Sequence, residues 1–269
     1  MGDCVPPPLL TIVTVNKNNA NGLRRTILSI LPILSGKVHY LVMDGASEDA
    51  SLDVARSLLA GHKHASIVSE RDSGIYQAMN KGWQQSRSEY VAYINSGDEI
   101  VQDAYTRLVS ALESRAADIF YARLLLACAG VADLVTHERH PEQFKSDTLP
   151  HPATVVRRST FDRLGGFDQR FRIAADRDFF IRAQKEGFSF LHVPEAVAVF
   201  YLGGASAGWR AGLESAAISR RHGYIGFWGW LGRVAWSRLT RSSLMTEERV
   251  FRLLQRWRGL AASARRIIR

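Results

Sequence analysis

The chain has 269 residues, 46% of them hydrophobic and 23% charged, with a formal net charge of +9. This balance excludes a disordered chain and suits one large domain, or one domain with an appendage. Its two cysteines, Cys4 and Cys128, exclude a disulfide framework and a cysteine-based zinc site.

Residues 9–15 (Leu-Leu-Thr-Ile-Val-Thr-Val) read as a buried strand from their β-branched content. A helix is expected over 22–34, with Leu23, Ile27, Ile30 and Leu31 on one face, and a second strand over 38–43 that ends in Asp44-Gly45. Ser47 is placed to cap a helix that turns Val54, Leu58 and Leu59 inward. A strand over 65–68, a helix over 74–86 and a strand over 90–94 follow. This alternation predicts an α/β fold, a sheet whose first half is parallel with helices on both faces. After Asn95 the order changes: a helix near 104–114, strands at 119–127 and 131–135, a strand at 153–156, a helix at 176–186 and a strand at 188–200.

The charge is unevenly spread. Segment 207–269 holds 13 Arg, no Lys, three acids and five of the six Trp, whereas the first 206 residues carry 22 bases against 23 acids. The expected organisation is a nearly neutral domain over 1–206 and a basic, Trp-rich helical tail over 207–269. A helix is expected over 225–239. From Val250 onward Leu253, Leu254, Trp257, Leu260, Ala261, Ala264, Ile267 and Ile268 repeat at helical spacing. Nucleic acid fits the charge, but no nucleic-acid-binding module is present. A helix packed on the body explains the apolar stripe, and an interfacial helix on an anionic membrane explains both stripe and Arg. No run reaches the roughly 18 apolar residues of a spanning helix, and 1–8 lacks the apolar core of a signal peptide. The expected location is the cytoplasm, peripheral on the inner face of the plasma membrane.

In open α/β sheets ligands bind beyond the carboxyl ends of the strands. The residues there are Asn16, Asp44, Glu70-Arg71-Asp72 and Asn95-Ser96-Gly97-Asp98, so three strand ends deliver a carboxylate to one edge. No GxGxxG or Walker loop follows the first strand, which argues against dinucleotide redox chemistry and P-loop hydrolysis. A carboxylate at Asp98 can hold Mg²⁺ or Mn²⁺, although Asn-Ser-Gly-Asp is equally good turn chemistry.

The run Glu70-Arg71-Asp72-Ser73-Gly74-Ile75-Tyr76-Gln77-Ala78-Met79-Asn80-Lys81-Gly82 resembles a segment of family 2 glycosyltransferases, especially those of bacterial exopolysaccharide clusters of the colanic acid type. The likeness covers most of the chain in register: Thr14-Val15-Asn16, Asp44-Gly45-Ala46-Ser47, the long run, Asn95-Ser96-Gly97-Asp98, His151-Pro152-Ala153, Leu164-Gly165-Gly166-Phe167-Asp168, Ala175-Asp176-Arg177-Asp178-Phe179 and Gly203-Gly204-Ala205-Ser206. It implies the GT-A fold and an inverting transfer of a sugar from a UDP- or GDP-linked donor to a hydroxyl of a lipid-linked or other saccharide acceptor. By the same resemblance Asn16, Asp44, Asp72, Lys81, Ser96 and Gly97 contact the nucleotide, and Asp98 binds Mn²⁺ or Mg²⁺. Asp176 is the general base, His151 contacts the acceptor, and Gly203, Gly204 and Ser206 approach the diphosphate. Three positions depart from the family pattern: Asn95 and Gly97 stand where acids are frequent, and Ala175 replaces a Glu. Asp178, two positions beyond Asp176, is expected to be a structural charge. Two other functions share parts of this pattern, a nucleotidyltransferase and a non-catalytic membrane-associated nucleotide-sugar binder. The first normally has a Gly-rich loop after its first strand, where this chain has Asn16-Lys17-Asn18-Asn19.

Overall fold

The structure, a computed structural model, describes residues 6–128, 134–202 and 209–239. Strand β1 (Leu10–Asn16) is buried along its whole length, as a strand covered on both faces must be. Helix α1 (Ala20–Ile30) is capped by Asn19, whose Oδ1 accepts the Gly22 N–H at 3.1 Å. It gives way to a 3₁₀ turn containing Pro32, which has no N–H to continue the helical ladder. β2 (Val38–Asp44), α2 (Ser51–Leu59), β3 (Ala65–Ser69), α3 (Ile75–Gln85) and β4 (Tyr90–Tyr93) continue the alternation. β1 lies between β2 and β4, with β3 outside β2, all parallel.

Helix α2 starts at Ser51, three residues later than a cap at Ser47 would place it. Ser47 does not cap it: its hydroxyl donates to Asp44 Oδ1 at 2.6 Å and accepts the Asn18 N–H at 2.8 Å. Asp49 holds the helix entry instead, accepting the Ser51 N–H at 3.0 Å.

The second half comprises β5 (Glu99–Ile100), α4 (Gln102–Ser114), β6 (Ile119–Ala127), β7 (Val135–His137), β8 (Thr154–Arg157), α5 (Arg158–Leu164), α6 (Ala175–Lys185), β9 (Phe190–Tyr201), α7 (Trp209–Arg221) and α8 (Phe227–Leu239). The sheet runs β3-β2-β1-β4-β8-β6-β9-β5, with β7 paired to β6. β8 is antiparallel to both β4 and β6, so the sheet is mixed. Of the strand expected at 131–135, residues 131–133 lie outside the described residues, and β7 starts at its last position, Val135; the amphipathic pattern beyond Val250 also lies outside the described residues. The two-residue strand β5 has no counterpart in the sequence reading. It pairs with β9 directly after Asp98.

Alternation along β1 divides the core. Leu10 and Ile12 face Leu23, Ile27 and Tyr105 on the α1/α2/α4 side, whereas Val13 and Val15 face Met79, Trp83, Phe161 and Phe179 on the α3/α5/α6 side. Gly82 permits the second contact, since a Cβ there would come within 2.6 Å of Val13 Cγ1.

Asn80 ties α3 to the turn before α6. Its Nδ2 donates to the Phe167 carbonyl at 2.8 Å, and its Oδ1 accepts the Phe167 N–H at 2.8 Å and the Trp83 indole N–H at 3.3 Å. Gly165 and Gly166 have φ of 72° and 75°, and a Cβ on Gly166 would lie 2.5 Å from Asn80 Oδ1. Asn80→Ala therefore breaks three buried hydrogen bonds at once. The expected loss is about 3 kcal/mol, measurable as a lower urea midpoint with an unchanged m-value.

Helix α7 belongs to the same packing unit, across the boundary expected near 206. Ile218 is fully buried in the α3/α5/α6 core. The guanidinium of Arg177 on α6 reaches the Ser215 carbonyl at 2.7 Å and the Ser219 hydroxyl at 3.0 Å on α7, and the Phe144 carbonyl at 3.0 Å. Asp178, fully buried, lies 2.8 Å from His222 Nε2 and accepts from Arg182 Nε at 2.7 Å. It is the structural charge expected of it.

Candidate active site

Parallel register puts Asn16 opposite Asp44 and Asp44 opposite Ser69, so three strands end at one level. Asp44 is buried and accepts from Asn16 Nδ2 (2.9 Å), the Ser47 hydroxyl (2.6 Å), the Ser47 N–H (2.8 Å) and the Ser69 hydroxyl (2.9 Å). Burial pushes its carboxyl up, but the bonds from Ser47, Asn16 and Ser69 outweigh it and hold the group below its usual range. Asn16 Oδ1, by contrast, is buried without a partner. Asp72 accepts the Gly74 N–H at 2.9 Å and packs over Gly45, where a Cβ would sit 2.4 Å from Asp72 Oδ2.

A cleft of about 690 Å³ opens at this edge, lined among others by Asn16, Asp72, Ser96, Gly97, Asp98 and His151. The 96–98 loop is fixed from α1. Thr26 Oγ1 accepts the Gly97 N–H at 3.0 Å and donates to the Asp98 carbonyl at 2.6 Å, while Asn19 Nδ2 donates to the Ser96 carbonyl at 3.1 Å. Gly97 has a φ of 113°, a conformation that an L side chain strains. This loop turns Asp98 inward. The residue is only 6% exposed, and among the described residues the Tyr201 N–H at 3.4 Å is the one hydrogen-bond donor to its carboxylate. Burial pushes it up to about 6.

Asp176 occupies the first turn of α6. Its Oδ1 accepts the Arg177 N–H at 2.8 Å and lies 3.1 Å from the Tyr76 hydroxyl, which donates to the Ile173 carbonyl at 2.7 Å. Its Oδ2 lies 3.5 Å from His151 Nδ1, and the other ring nitrogen of His151 is 2.9 Å from Asn95 Nδ2. Asp176 is behind the cleft wall, whereas His151 lines it.

The α6 entry has no side-chain cap of its own. Glu214 of α7 supplies one from 40 residues away, its carboxylate accepting the N–H groups of Arg172 (2.9 Å), Ile173 (2.8 Å) and Ala174 (3.0 Å). An anion on successive N–H groups at a helix start gains from the helix dipole as well as from the bonds. Glu214→Gln leaves the fold in place but loosens the 172–174 wall. The expected result is a loss of about 2 kcal/mol in stability, measurable as a lower urea midpoint.

The structure thus gathers Asn16, Asp72, Ser96, Gly97, Asp98 and His151 around one cleft, with Asp44 and Asp176 one layer behind. Lys81 is elsewhere: its ammonium donates to the Arg71 carbonyl at 2.8 Å and lies 3.0 Å from Glu70, bracing the loop that carries Asp72. Gly203, Gly204 and Ser206 lie outside the described residues. Sequence reasoning gave no role to Tyr76, Arg177 or Glu214. Tyr76 and Arg177 stand inside quoted motifs, while Glu214 had no local signal. Among the described residues no group of three or more His, Cys, Asp or Glu is placed to hold a metal ion by itself, and no helix is long and apolar enough to cross a membrane.

Comparison with known proteins gives a consistent result. The profile of glycosyl transferase family 2 matches residues 11–182. An uncharacterized glycosyltransferase of Mycobacterium tuberculosis is 26% identical over 182 residues, covering 65% of this chain and 69% of that protein. A PGL/p-HBAD biosynthesis glycosyltransferase of Mycobacterium bovis is 26% identical over 179 residues, with the same coverage of 65% and 69%. Among solved structures, S. aureus TarS 1–349 in complex with UDP-GlcNAc superposes with a TM-score of 0.65 at 12% identity, over 91% of this chain and 75% of that one. A mannosyltransferase from Pyrobaculum calidifontis in complex with GDP-Man and Mn²⁺ gives 0.64 at 16% identity, over 96% and 81%. The fold is the GT-A arrangement of these neighbours.

Proposed function

The chain belongs to glycosyl transferase family 2, and we propose that it is an inverting, metal-dependent hexosyltransferase of bacterial exopolysaccharide or glycolipid synthesis. One observation carries this reading. A single imidazole, His151, touches both Asp176 and Asn95, the first residue of the loop that ends in Asp98. The group suited to take a proton, one layer behind the cleft, and the loop of the group suited to face a leaving diphosphate are thereby linked through one residue that lines it.

The acceptor oxygen attacks the anomeric carbon as the bond from that carbon to the diphosphate oxygen breaks. The electron pair leaves with the nucleoside diphosphate, and the acceptor proton passes to Asp176. A positioned carboxylate contributes about 10²–10⁴-fold in such a step. His151 orients the Asp176 carboxylate and meets the acceptor.

Asp98 suits a divalent cation, being a buried carboxylate without a cationic partner at bonding distance among the described residues. As the sole acid there, it would hold Mn²⁺ or Mg²⁺ together with donor oxygens and water. Such an ion would supply charge neutralisation at the diphosphate. Asn16 Oδ1, a buried acceptor without a partner, suits the ring N–H of uracil or guanine, in keeping with the UDP-GlcNAc and GDP-Man held by the two structural neighbours. Asp44 acts on the base through Asn16, which it orients, and Asp72 meets the nucleoside beside it. Ser96 and Gly97 border the nucleotide, and Lys81 acts indirectly by bracing the Asp72 loop. The Gly203, Gly204 and Ser206 segment contacts the diphosphate. The acceptor is a saccharide, lipid-linked in the reading preferred here, and the basic 207–269 segment places the enzyme on the cytoplasmic membrane face.

A panel of UDP- and GDP-sugars, scored by thermal shift with Mn²⁺ and then by transfer of labelled sugar, tests the proposal. A shift without transfer or hydrolysis favours a non-catalytic binder. Pyrophosphate release from a nucleoside triphosphate favours a nucleotidyltransferase.

A further inference from the structure

Five large hydrophobic side chains are exposed among the described residues, and three of them, Phe227 (49%), Trp228 (81%) and Leu231 (36%), fall in the first five residues of α8. Helical geometry explains the concentration. Trp228, Leu231, Gly232 and Ala235 share one face of α8 and all are exposed, whereas Trp230 and Val234 on the opposite face are half-buried. The inner face is fastened to α7: the Arg220 guanidinium stacks 4.9 Å from the Trp230 ring and 5.1 Å from Phe227, and Arg233 reaches the Ser219 hydroxyl at 3.5 Å. Helix α7 is in turn locked to the catalytic body through Arg177 and Glu214. The bare apolar face is therefore carried rigidly on the active-site wall.

Charge narrows what covers this face. Helix α8 contains Arg233 and Arg238 and no acid, and α7 ends in Arg220-Arg221. A second copy of the chain would bring the same cations against themselves. Residues 240–269 hold eight Arg against Glu247 and Glu248, so that segment is no better matched. Trp and Leu flanked by Arg, without acids, is the chemistry of an interface between anionic headgroups and acyl chains.

We propose that the Trp228–Leu231 face of α8 is the membrane-docking surface of this protein, seated in an anionic lipid leaflet. It is a different element from the amphipathic stripe beyond Val250, and it sets the orientation of the cleft because α7 connects the two. The proposal is independent of the donor assignment.

The test is flotation of the protein with vesicles of phosphatidylcholine alone and with vesicles of phosphatidylcholine and anionic phosphatidylglycerol, whose surface attracts basic interfacial helices. The wild type floats with the anionic vesicles and not with the neutral ones. Trp228→Ser/Leu231→Ser lowers that partition about tenfold or more, with Leu231→Ser alone falling between. Leu253→Ser/Trp257→Ser, placed in the other stripe, stays close to wild type. All four positions leave the donor-induced thermal shift intact, so a failure of the donor reading is read separately in that assay. Unchanged flotation of Trp228→Ser/Leu231→Ser overturns the proposal. So does flotation lost only in Leu253→Ser/Trp257→Ser, or a vesicle-free dimer that the α8 variant converts to monomer.

Discussion

Asp176→Asn is expected to lower kcat by about 10²–10⁴-fold while leaving the donor-induced thermal shift intact. The change is nearly isosteric. An Asn oxygen at the Oδ1 position keeps the Arg177 N–H at 2.8 Å and the Tyr76 hydroxyl at 3.1 Å, so the first turn of α6 stays in place. What is lost is a group able to take the acceptor proton. His151→Gln is the informative companion, because it removes the imidazole 3.5 Å from Oδ2 and leaves the carboxylate. A smaller loss in His151→Gln than in Asp176→Asn assigns the proton to Asp176. An equal or greater loss assigns it to His151, the member of the pair that lines the cleft. The measurement is single-turnover transfer at saturating donor, which separates chemistry from binding.

The first half of the sheet was legible in the sequence because β1, β2 and β4 are buried on both faces and read as short apolar runs, while the half-buried edge strand β3 still carries a β-branched pair, Ile67-Val68. β1, β2, β3 and β4 fall within a residue or two of their expected limits. The cleft residues Asn16, Asp72 and Asp98 were legible for the related reason that a parallel sheet sends its strand ends to one edge. Features that depend on long-range partners were not. Nothing near Asn80 announces a turn 87 residues away, and nothing near Glu214 announces three N–H groups in the loop before α6. Ser47 looked like a helix cap because Ser before a helical run usually is one; Asp44, brought beside it by the β2 turn, competes for the same hydroxyl and wins. Strand β5 escaped because two residues carry no periodicity, and it exists only by pairing with β9. Arg177 is the extreme case. It stands inside a quoted motif that gives it no role, yet it is 3% exposed and its guanidinium hydrogen-bonds to partners from Phe144 to Ser219 that lie far away in sequence.

Asp98→Asn is expected to separate function from stability in opposite directions. Burial raises this carboxyl from 3.8 to about 6, so at neutral pH the fold holds a charge that it disfavours. A raised carboxyl binds its proton more tightly folded than unfolded, and the cost of ionising it is absent below pH 3.8 and complete above about pH 6. At neutral pH that cost is on the order of 2–3 kcal/mol. An amide removes it and can still accept the Tyr201 N–H, while Thr26 keeps the loop backbone in place. The variant without donor should therefore melt higher than the wild type at pH 7.5, and the difference should vanish near pH 4. Its transfer rate should nonetheless fall by about 10²–10³-fold, the usual loss when one charge-stabilising group is removed from a transition state. The Mn²⁺-dependent part of the donor thermal shift should disappear with it. A carboxylate kept buried against the preference of the fold is what a cation site requires before its cation arrives. If Asp98→Asn melts lower and transfers normally, the residue is a structural element of the 96–98 turn and the cation reading is lost.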